Sequence, residues 1–323
     1  MVDNALHPAY SVETIRDFLA TLYKTMPENL AQQTEDALTQ VFTFQVNATS
    51  YVMRISANGM GQRFRLQTYL QTRYGSPSLP ILVVSHYGTI HDHHYGIMEK
   101  PAGEILDTFK NLDISTAIDN LIQAHDAIRT ADVSDTSGYG WLLDETWNGY
   151  HASWHEHLRY VASEEPETMF YHQWHHLFED TFLERDVFDA LYTRMESLLC
   201  HCPEDRYLSH AMFGLSNAIG QENGTINAVI NWTDAGYRDF VFDVAYADYW
   251  WDNDIASRFI AHWSAIGLDV PDARERLLCY QLYTGLDGMR FFAKVNQEDG
   301  YRYNHTRIER AIAAYEHHSA NPA

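Results

Sequence analysis

The stretch that decides the fold is Cys202–Trp250, which reads CPEDRYLSHAMFGLSNAIGQENGTINAVINWTDAGYRDFVFDVAYADYW. Two short strand-like runs flank Asn223-Gly224, a dipeptide that favours tight turns, so this segment predicts a β-hairpin. Helical patterns surround the hairpin on both sides. We therefore look for chemistry in the residues around it.

The first 100 residues show mainly the sequence pattern of β-strands. Val41–Val46 and Tyr51–Ser56 are short, β-branched, alternating runs that predict a second hairpin. Helices are predicted at Val12–Lys24 and Gln62–Tyr74, and two further strands are predicted in ILVVSHYG and YGIMEK. Together these elements predict a small antiparallel sheet with an inserted helix.

From residue 115 onward the predicted elements are mainly helical. They are Ser115–Arg129, Trp154–Ala162, Trp174–Leu199 with a break, Asp254–Ile266, Asp272–Phe292 and Thr306–His317. The predicted fold class is α+β, a two-lobe protein-kinase-like fold. The predicted domains are a sheet-containing N-lobe at 1–100 and a helical C-lobe at 101–323, which includes the Asn223-Gly224 hairpin.

The composition and net charge limit which classes of partner the protein can bind. The chain has 323 residues, of which 46% are hydrophobic and 20% charged, and its formal net charge is −22. So much negative charge disfavours nucleic acid and membrane surfaces, and a cationic or neutral small molecule is the expected ligand. No apolar run is long enough for a membrane span, no secretion signal is recognisable, and the three cysteines form no disulfide framework. We expect a cytoplasmic monomer or weak homodimer.

The Cys202–Trp250 segment resembles the catalytic segment of the aminoglycoside phosphotransferase and choline kinase-like superfamily, most closely the hygromycin B phosphotransferase branch. That family has His-x-Asp, then Asn, a hairpin, Ile-Asp-Trp and a later pair of aspartates. The corresponding residues here are His210, Asn217, Asn231 and the pair Asp239 and Asp243. The resemblance implies that this pair organises the loop and the following helix.

The residues that carry phosphoryl transfer in the family are replaced. Met212 stands where the resemblance places the Asp that accepts the proton of the substrate hydroxyl, and a thioether is only a weak acceptor. Asn231 stands at the metal-binding Asp, and Asn217 matches the second metal ligand. Two neutral amides form a weak site for Mg²⁺, which prefers carboxylate oxygens.

The N-lobe departs from the family as well. Arg54 stands where kinases place a phosphate-binding lysine, and the helix that should answer it with a carboxylate contains no Asp or Glu. The loop before Val41 carries Glu35 and Asp36 and lacks glycine, so it predicts repulsion of phosphate rather than a phosphate cradle.

Three interpretations follow. In the first, a pseudokinase-like protein binds a small molecule, such as a natural product or antibiotic, or catalyses an ATP-independent reaction on it, in biosynthesis or resistance. Here no cofactor is expected and His210 is a candidate proton carrier. In the second, the chain is an active antibiotic O-phosphotransferase that uses ATP, Mg²⁺ and a substitute carboxylate such as Asp234. In the third, it is a dead variant without a ligand.

Acidic and aromatic residues follow the catalytic segment, where the resemblance implies recognition of a cationic substrate. Carboxylates beside indole rings suit such a ligand. The candidate substrate-binding residues are Asp248, Trp250, Trp251, Asp252 and Asp254. Histidines cluster at 91–94, 155–157 and 172–176, but their spacing does not match a known metal motif, and no metal site is predicted.

Overall fold

A computed structural model describes residues 8–33, 39–56, 62–143, 146–167, 169–251 and 254–320. The chain forms two compact units. Unit 1 comprises Met1–Leu112 and Ala218–Thr233, and unit 2 comprises Asp113–Asn217 and Asp234–Ala323. The hairpin around Asn223 therefore belongs to unit 1, whereas the sequence predicts it within the helical C-lobe.

The elements of unit 1 alternate between strands and two helices. They are α1 (Val12–Tyr23), β1 (Glu28–Gln32), β2 (Thr39–Val46), β3 (Thr49–Ser56), α2 (Gln62–Tyr74), β4 (Val84–Ile90), β5 (His93–Glu99), β6 (Glu104–Ile105), β10 (Ala218–Gly220) and β11 (Ile226–Val229). The elements of unit 2 are α3 (Ile114–Arg129), β7 (Tyr139–Leu142), β8 (Gly149–His151), α4 (Trp154–Arg159), α5 (Leu177–Asp180), α6 (Arg185–Leu198), β9 (Tyr207–Ser209), β12 (Gly236–Arg238), α7 (Val241–Trp250), α8 (Ile255–Ala265), α9 (Ala273–Lys294) and α10 (Glu298–Ala320).

Unit 1 is built on a five-stranded antiparallel sheet of order β1-β2-β3-β5-β4. Alternate residues of β2, β3 and β5 point to the face that α1 covers, where Phe42, Met53 and Ile97 are fully buried. Ile15 and Leu19 of α1 complete this core. The predicted hairpins and both predicted helices are confirmed here.

The opposite face of the sheet receives α2. Gly96 of β5 pairs with Arg54 of β3, and a Cβ atom on Gly96 would lie 2.2 Å from the ring of Phe64 in α2. The missing side chain therefore lets Phe64 reach the sheet. This contact brings the first turns of α2 next to Arg54 and Ser56, which share one face of β3.

Unit 2 is helical around a four-stranded sheet of order β8-β7-β12-β9. The long helix α9 packs against α6, α7 and α10, and most of its residues are buried. The antiparallel sheet of unit 1 and the helical unit 2 confirm the predicted α+β fold class. No helix within the described ranges is both long enough and apolar enough to span a membrane.

Candidate functional site

The loop His210–Asn217 follows β9 and is held by one buried carboxylate. Oδ2 of Asp243 accepts a hydrogen bond from the backbone N of His210 at 2.8 Å, and Oδ1 accepts from the backbone N of Ala211 at 2.8 Å. The Ser209 hydroxyl donates to Oδ1 at 2.9 Å. Ala211 has a φ of +72°, a left-handed conformation that costs a residue with a side chain about 1–2 kcal/mol. Asp243 stabilises the loop in this conformation.

The second half of the loop closes on itself around Met212. Its backbone N donates to Nδ1 of His210 at 3.3 Å, and Nδ2 of Asn217 donates to its carbonyl oxygen at 2.7 Å. His210 is fully buried, which disfavours its predicted role as a proton carrier toward a ligand. Hydrogen bonds therefore hold the backbone of the loop, and the side chain at its centre, Met212, is a thioether.

Trp251 packs directly against this loop. A Cβ atom on Gly214 would lie 2.1 Å from the indole ring, and Gly214 has a φ of +151°. Only glycine satisfies both the conformation and the close approach. Among the predicted substrate-binding residues that the structure describes, Trp251 is thus seen to contact the loop.

Asp239, the other aspartate of the predicted pair, bonds side chains of helix α9. It accepts two hydrogen bonds from the guanidinium of Arg276 in α9, at 2.5 and 2.9 Å, and a third from the hydroxyl of Tyr280 at 2.5 Å. All three residues are buried. A bidentate buried pair of this kind fixes α9 to the segment before α7, in agreement with the structural role expected for Asp239.

Asp248 and Trp250, two of the predicted substrate-binding residues, are partly buried in unit 2. Asp248 accepts hydrogen bonds from the backbone N of Ala256 and from the side chain of Gln281, both at 2.9 Å. Burial raises the pKa of Asp248. Trp250 stacks on Tyr303 with ring centroids 6.2 Å apart. The Asp248 carboxylate thus already connects α7 to α8 and α9.

The two remaining predicted residues differ from each other. Asp254 is exposed at the start of α8, where its Oδ1 accepts from the Ser257 hydroxyl at 2.7 Å. Asp252 lies outside the described residues.

Two further carboxylates, Asp234 and Asp287, act electrostatically on buried tyrosines in unit 2. Burial, and after it the charges of Asp234 and Asp287, raise the pKa of Tyr246. Burial and Asp287 also raise the pKa of Tyr283. The side chain of Asp287 is 43% exposed and is paired on one side with Arg290 at 2.8 Å. Asp234 and Asp287 therefore direct negative charge toward one aromatic region.

Unit 1 contains a small polar recess that is open to solvent. It is lined by Thr39, Arg54, Ser56, Arg63, Phe64, Gln67, Asn231 and Thr233. Arg54 and Asn231, predicted to lie at the phosphate and metal positions, are thus brought together. Arg63 joins them from α2, and the sequence had not singled it out.

Comparison with known proteins gives the family. A model of the phosphotransferase enzyme family matches residues 30–279, which is most of the chain. The chain belongs to this family. It is also similar to hygromycin-B 4-O-kinase of Escherichia coli, with 29% identity over 247 residues, 75% of this chain and 68% of that protein. Membership in the superfamily and similarity to its hygromycin branch are therefore both confirmed.

Solved structures of the family share the fold. Aminoglycoside phosphotransferase APH(4)-Ia superposes with a TM-score of 0.77 at 24% identity, covering 94% of this chain and 99% of that one. A ternary complex of a thermostable mutant of it with ADP and hygromycin B gives 0.76 and covers 93% and 98%. A putative aminoglycoside phosphotransferase from Ralstonia eutropha gives 0.64 at 14% identity, covering 95% and 99%.

The family implies a divalent metal, and the residues present do not fit one. The described residues that line the recess of unit 1 include no carboxylate. Oδ1 of Asn231 already accepts a hydrogen bond from the Thr233 hydroxyl at 3.2 Å. Two guanidinium groups in the same recess repel a cation. Within the described parts of the chain, no group of three or more His, Cys, Asp or Glu side chains is arranged to hold a metal ion.

The histidine clusters have local partners. His93 bonds the hydroxyl of Tyr10 through Nδ1 at 2.7 Å. Nδ1 of His172 lies 3.0 Å from the carbonyl oxygen of Glu165, and His175 pairs with Glu164. His155 bonds the carbonyl of Cys202 at 2.8 Å. These contacts are typical of histidines that hold loops in place.

Proposed function

We propose that the chain binds a cationic, aminoglycoside-type small molecule in unit 2 and does not transfer the γ-phosphoryl group of ATP to it. The observation that carries this proposal is Met212. By the sequence resemblance it stands at the position of the family's proton acceptor, in a loop whose backbone Asp243 and Asn217 hold at His210, Ala211 and Met212.

The chemistry of the Met212 side chain supports the proposal. A positioned general base contributes roughly 10²–10⁴ in rate to proton transfer. The sulfur of Met212 is a weak hydrogen-bond acceptor and takes up no proton near neutral pH. The amide of Asn231 adds no charge for a metal, so the second contribution to phosphoryl transfer is weakened at the same time.

The class of ligand follows from charge and from the relatives. The net charge of −22 attracts cations to the whole chain. Asp234 and Asp287 act on the same tyrosine, Tyr246, and Asp287 is partly exposed. A polyamine sugar offers ammonium groups to such carboxylates, and hygromycin B appears in the names of the relatives described above.

A second candidate is an active ATP-dependent O-phosphotransferase. It is favoured by the similarity to a hygromycin-B kinase over 75% of the chain. In this reading Asp234, three residues after Asn231, replaces a missing carboxylate. Asp234→Asn then abolishes transfer, whereas in our proposal there is no transfer to abolish.

Restoring the family residues separates the two candidates. We expect no phosphorylation of hygromycin B by the natural chain. Met212→Asp with Asn231→Asp creates measurable transfer in an assay by mass spectrometry, whereas the matched control Met212→Leu with Asn231→Asp remains inactive. Transfer by the natural chain, lost in Asp234→Asn, would overturn the proposal in favour of the second candidate.

Binding is measured separately by isothermal titration of the natural chain with hygromycin B. We expect Asp287→Asn to weaken binding roughly tenfold to a hundredfold, because one charge-assisted hydrogen bond is worth about 1.5–3 kcal/mol. Asp269→Asn, which removes an exposed carboxylate before α9, is the matched control and leaves the affinity unchanged. Equal affinities for both variants would show that Asp287 does not contact the ligand.

A further inference from the structure

We infer that the recess of unit 1 binds a phosphate-type oxyanion directly through Arg54 and Arg63, without a divalent cation. The residues that line this recess belong to unit 1, and none of them is among the residues assigned to the ligand in the proposed function. It does not require that phosphoryl transfer occurs.

The two arginines reach the recess from different elements. Arg54 lies on β3, and Ser56 follows it on the same face. Arg63 lies in the first turn of α2, next to Phe64, whose ring packs over Gly96 of β5. Gly96 pairs with Arg54 on the neighbouring strand, and its missing side chain lets α2 pack closely enough to place Arg63 at the same recess.

The chemistry of the lining suits an oxyanion. Two guanidinium groups offer several N–H donors and a charge that is not lost at any physiological pH. The hydroxyl of Ser56 adds a neutral donor at the wall. Among the described lining residues there is no carboxylate to oppose an anion. Arginine forms bidentate bonds with phosphate, so this pair recognises a phosphate group by shape as well as by charge.

The same lining explains why no metal is needed. A kinase site holds triphosphate through one cationic side chain and through Mg²⁺ bound to carboxylates. In this recess Arg63 adds a positive charge, and the neutral amide of Asn231 adds no negative charge that could hold a metal. The positive charge that binds phosphate thus belongs to the protein rather than to an ion.

The test is isothermal titration of the full chain with ATP, pyrophosphate and adenosine, each in EDTA and in MgCl₂. We expect ATP and pyrophosphate to bind in EDTA at least as tightly as in MgCl₂, and adenosine to bind more weakly. If pyrophosphate binds as tightly as ATP, the recess recognises phosphate alone; if ATP binds more tightly, a nucleotide is the better ligand. Either result supports the inference. Binding that requires Mg²⁺, or adenosine that binds as tightly as ATP, would overturn it.

Variants assign the binding to the recess. Arg63→Gln should weaken pyrophosphate binding in EDTA by roughly tenfold to a hundredfold, the value of one charge-assisted hydrogen bond. Arg65→Gln removes an exposed arginine of the same helix and serves as the matched control with unchanged affinity. Similar effects of both substitutions would refute the role of Arg63.

A further variant tests the metal-free character. Asn231→Asp places a carboxylate in the recess, so we expect weaker binding of pyrophosphate in EDTA and recovery of affinity in MgCl₂. An EDTA affinity equal to that of the natural chain would contradict the placement of the anion beside Asn231. Because these titrations involve no phosphoryl transfer, their failure is distinct from failure of the proposed function.

Discussion

The substitution Asp243→Ala tests how the loop around Met212 is held. Asp243 is fully buried and accepts hydrogen bonds from the backbone N of His210, the backbone N of Ala211 and the hydroxyl of Ser209. After the substitution the N–H of His210 loses its bond to Asp243, while that of Ala211 keeps a weaker one to the Ser209 hydroxyl at 3.2 Å. One orphaned buried donor costs about 1–3 kcal/mol, and the two weakened bonds add about 1 kcal/mol each.

We therefore expect Asp243→Ala to lower the free energy of unfolding by about 3–5 kcal/mol, a large part of the ~5–15 kcal/mol of a typical domain. Ser209→Ala removes only the hydroxyl and should cost about 1 kcal/mol. Urea unfolding measures both values. Amide hydrogen exchange at His210 and Ala211 reports the loop itself. A loss below about 1 kcal/mol for Asp243→Ala, with both amides still protected, would refute the reasoning.

Three further predictions concern packing, pH and buried charge. Gly96→Ala should displace α2, because the new methyl group overlaps Phe64, and thermal unfolding should show a loss of about 1–3 kcal/mol; an unchanged melting temperature would argue against that contact. Burial lowers the pKa of His125 and His157 below 6.5, so both stay neutral in the folded chain while the unfolded chain takes up protons. Their contribution to stability is complete above pH 6.5 and is lost as the pH falls below it, by up to about 1.4 kcal/mol per pH unit for each histidine. Unfolding at pH 7.5, 6.5 and 5.5 measures this slope, and His157→Gln should flatten it. Nη2 of the buried Arg238 donates to the carbonyl oxygen of Asp234 at 3.0 Å, whereas its Nε and Nη1 hydrogen-bond no described residue. Arg238→Met should therefore leave the free energy of unfolding unchanged or raise it by about 1–3 kcal/mol; a clear loss would mean that the bond to Asp234 outweighs the cost of burying the charge.

Much of unit 1 could be predicted because its elements carry clear periodicity. The alternation in β2 and β3 and the helical pattern of α2 gave these elements to within a residue or two of their bounds. Helix α7 was missed. Nearly all of its residues are buried, so its sequence shows no polar face from which a helical period could be recognised.

The candidate site was predicted less completely, since its partners are distant in sequence. The loop residues His210, Met212 and Asn217 could be found because their segment resembles the family's catalytic segment. The hydrogen bond that Asp248 accepts from Gln281, 33 residues later in the chain, could not be predicted. Arg63 was missed for a similar reason: whether α2 presents it to Arg54 depends on a glycine in β5.

The central claim is that Met212 and Asn231 have removed ATP-dependent phosphoryl transfer. It is tested most directly by incubating the natural chain with γ-labelled ATP, Mg²⁺ and hygromycin B and measuring the label on the antibiotic. The account predicts no labelled hygromycin B above the level seen without protein. Stoichiometric or catalytic labelling by the natural chain would contradict it.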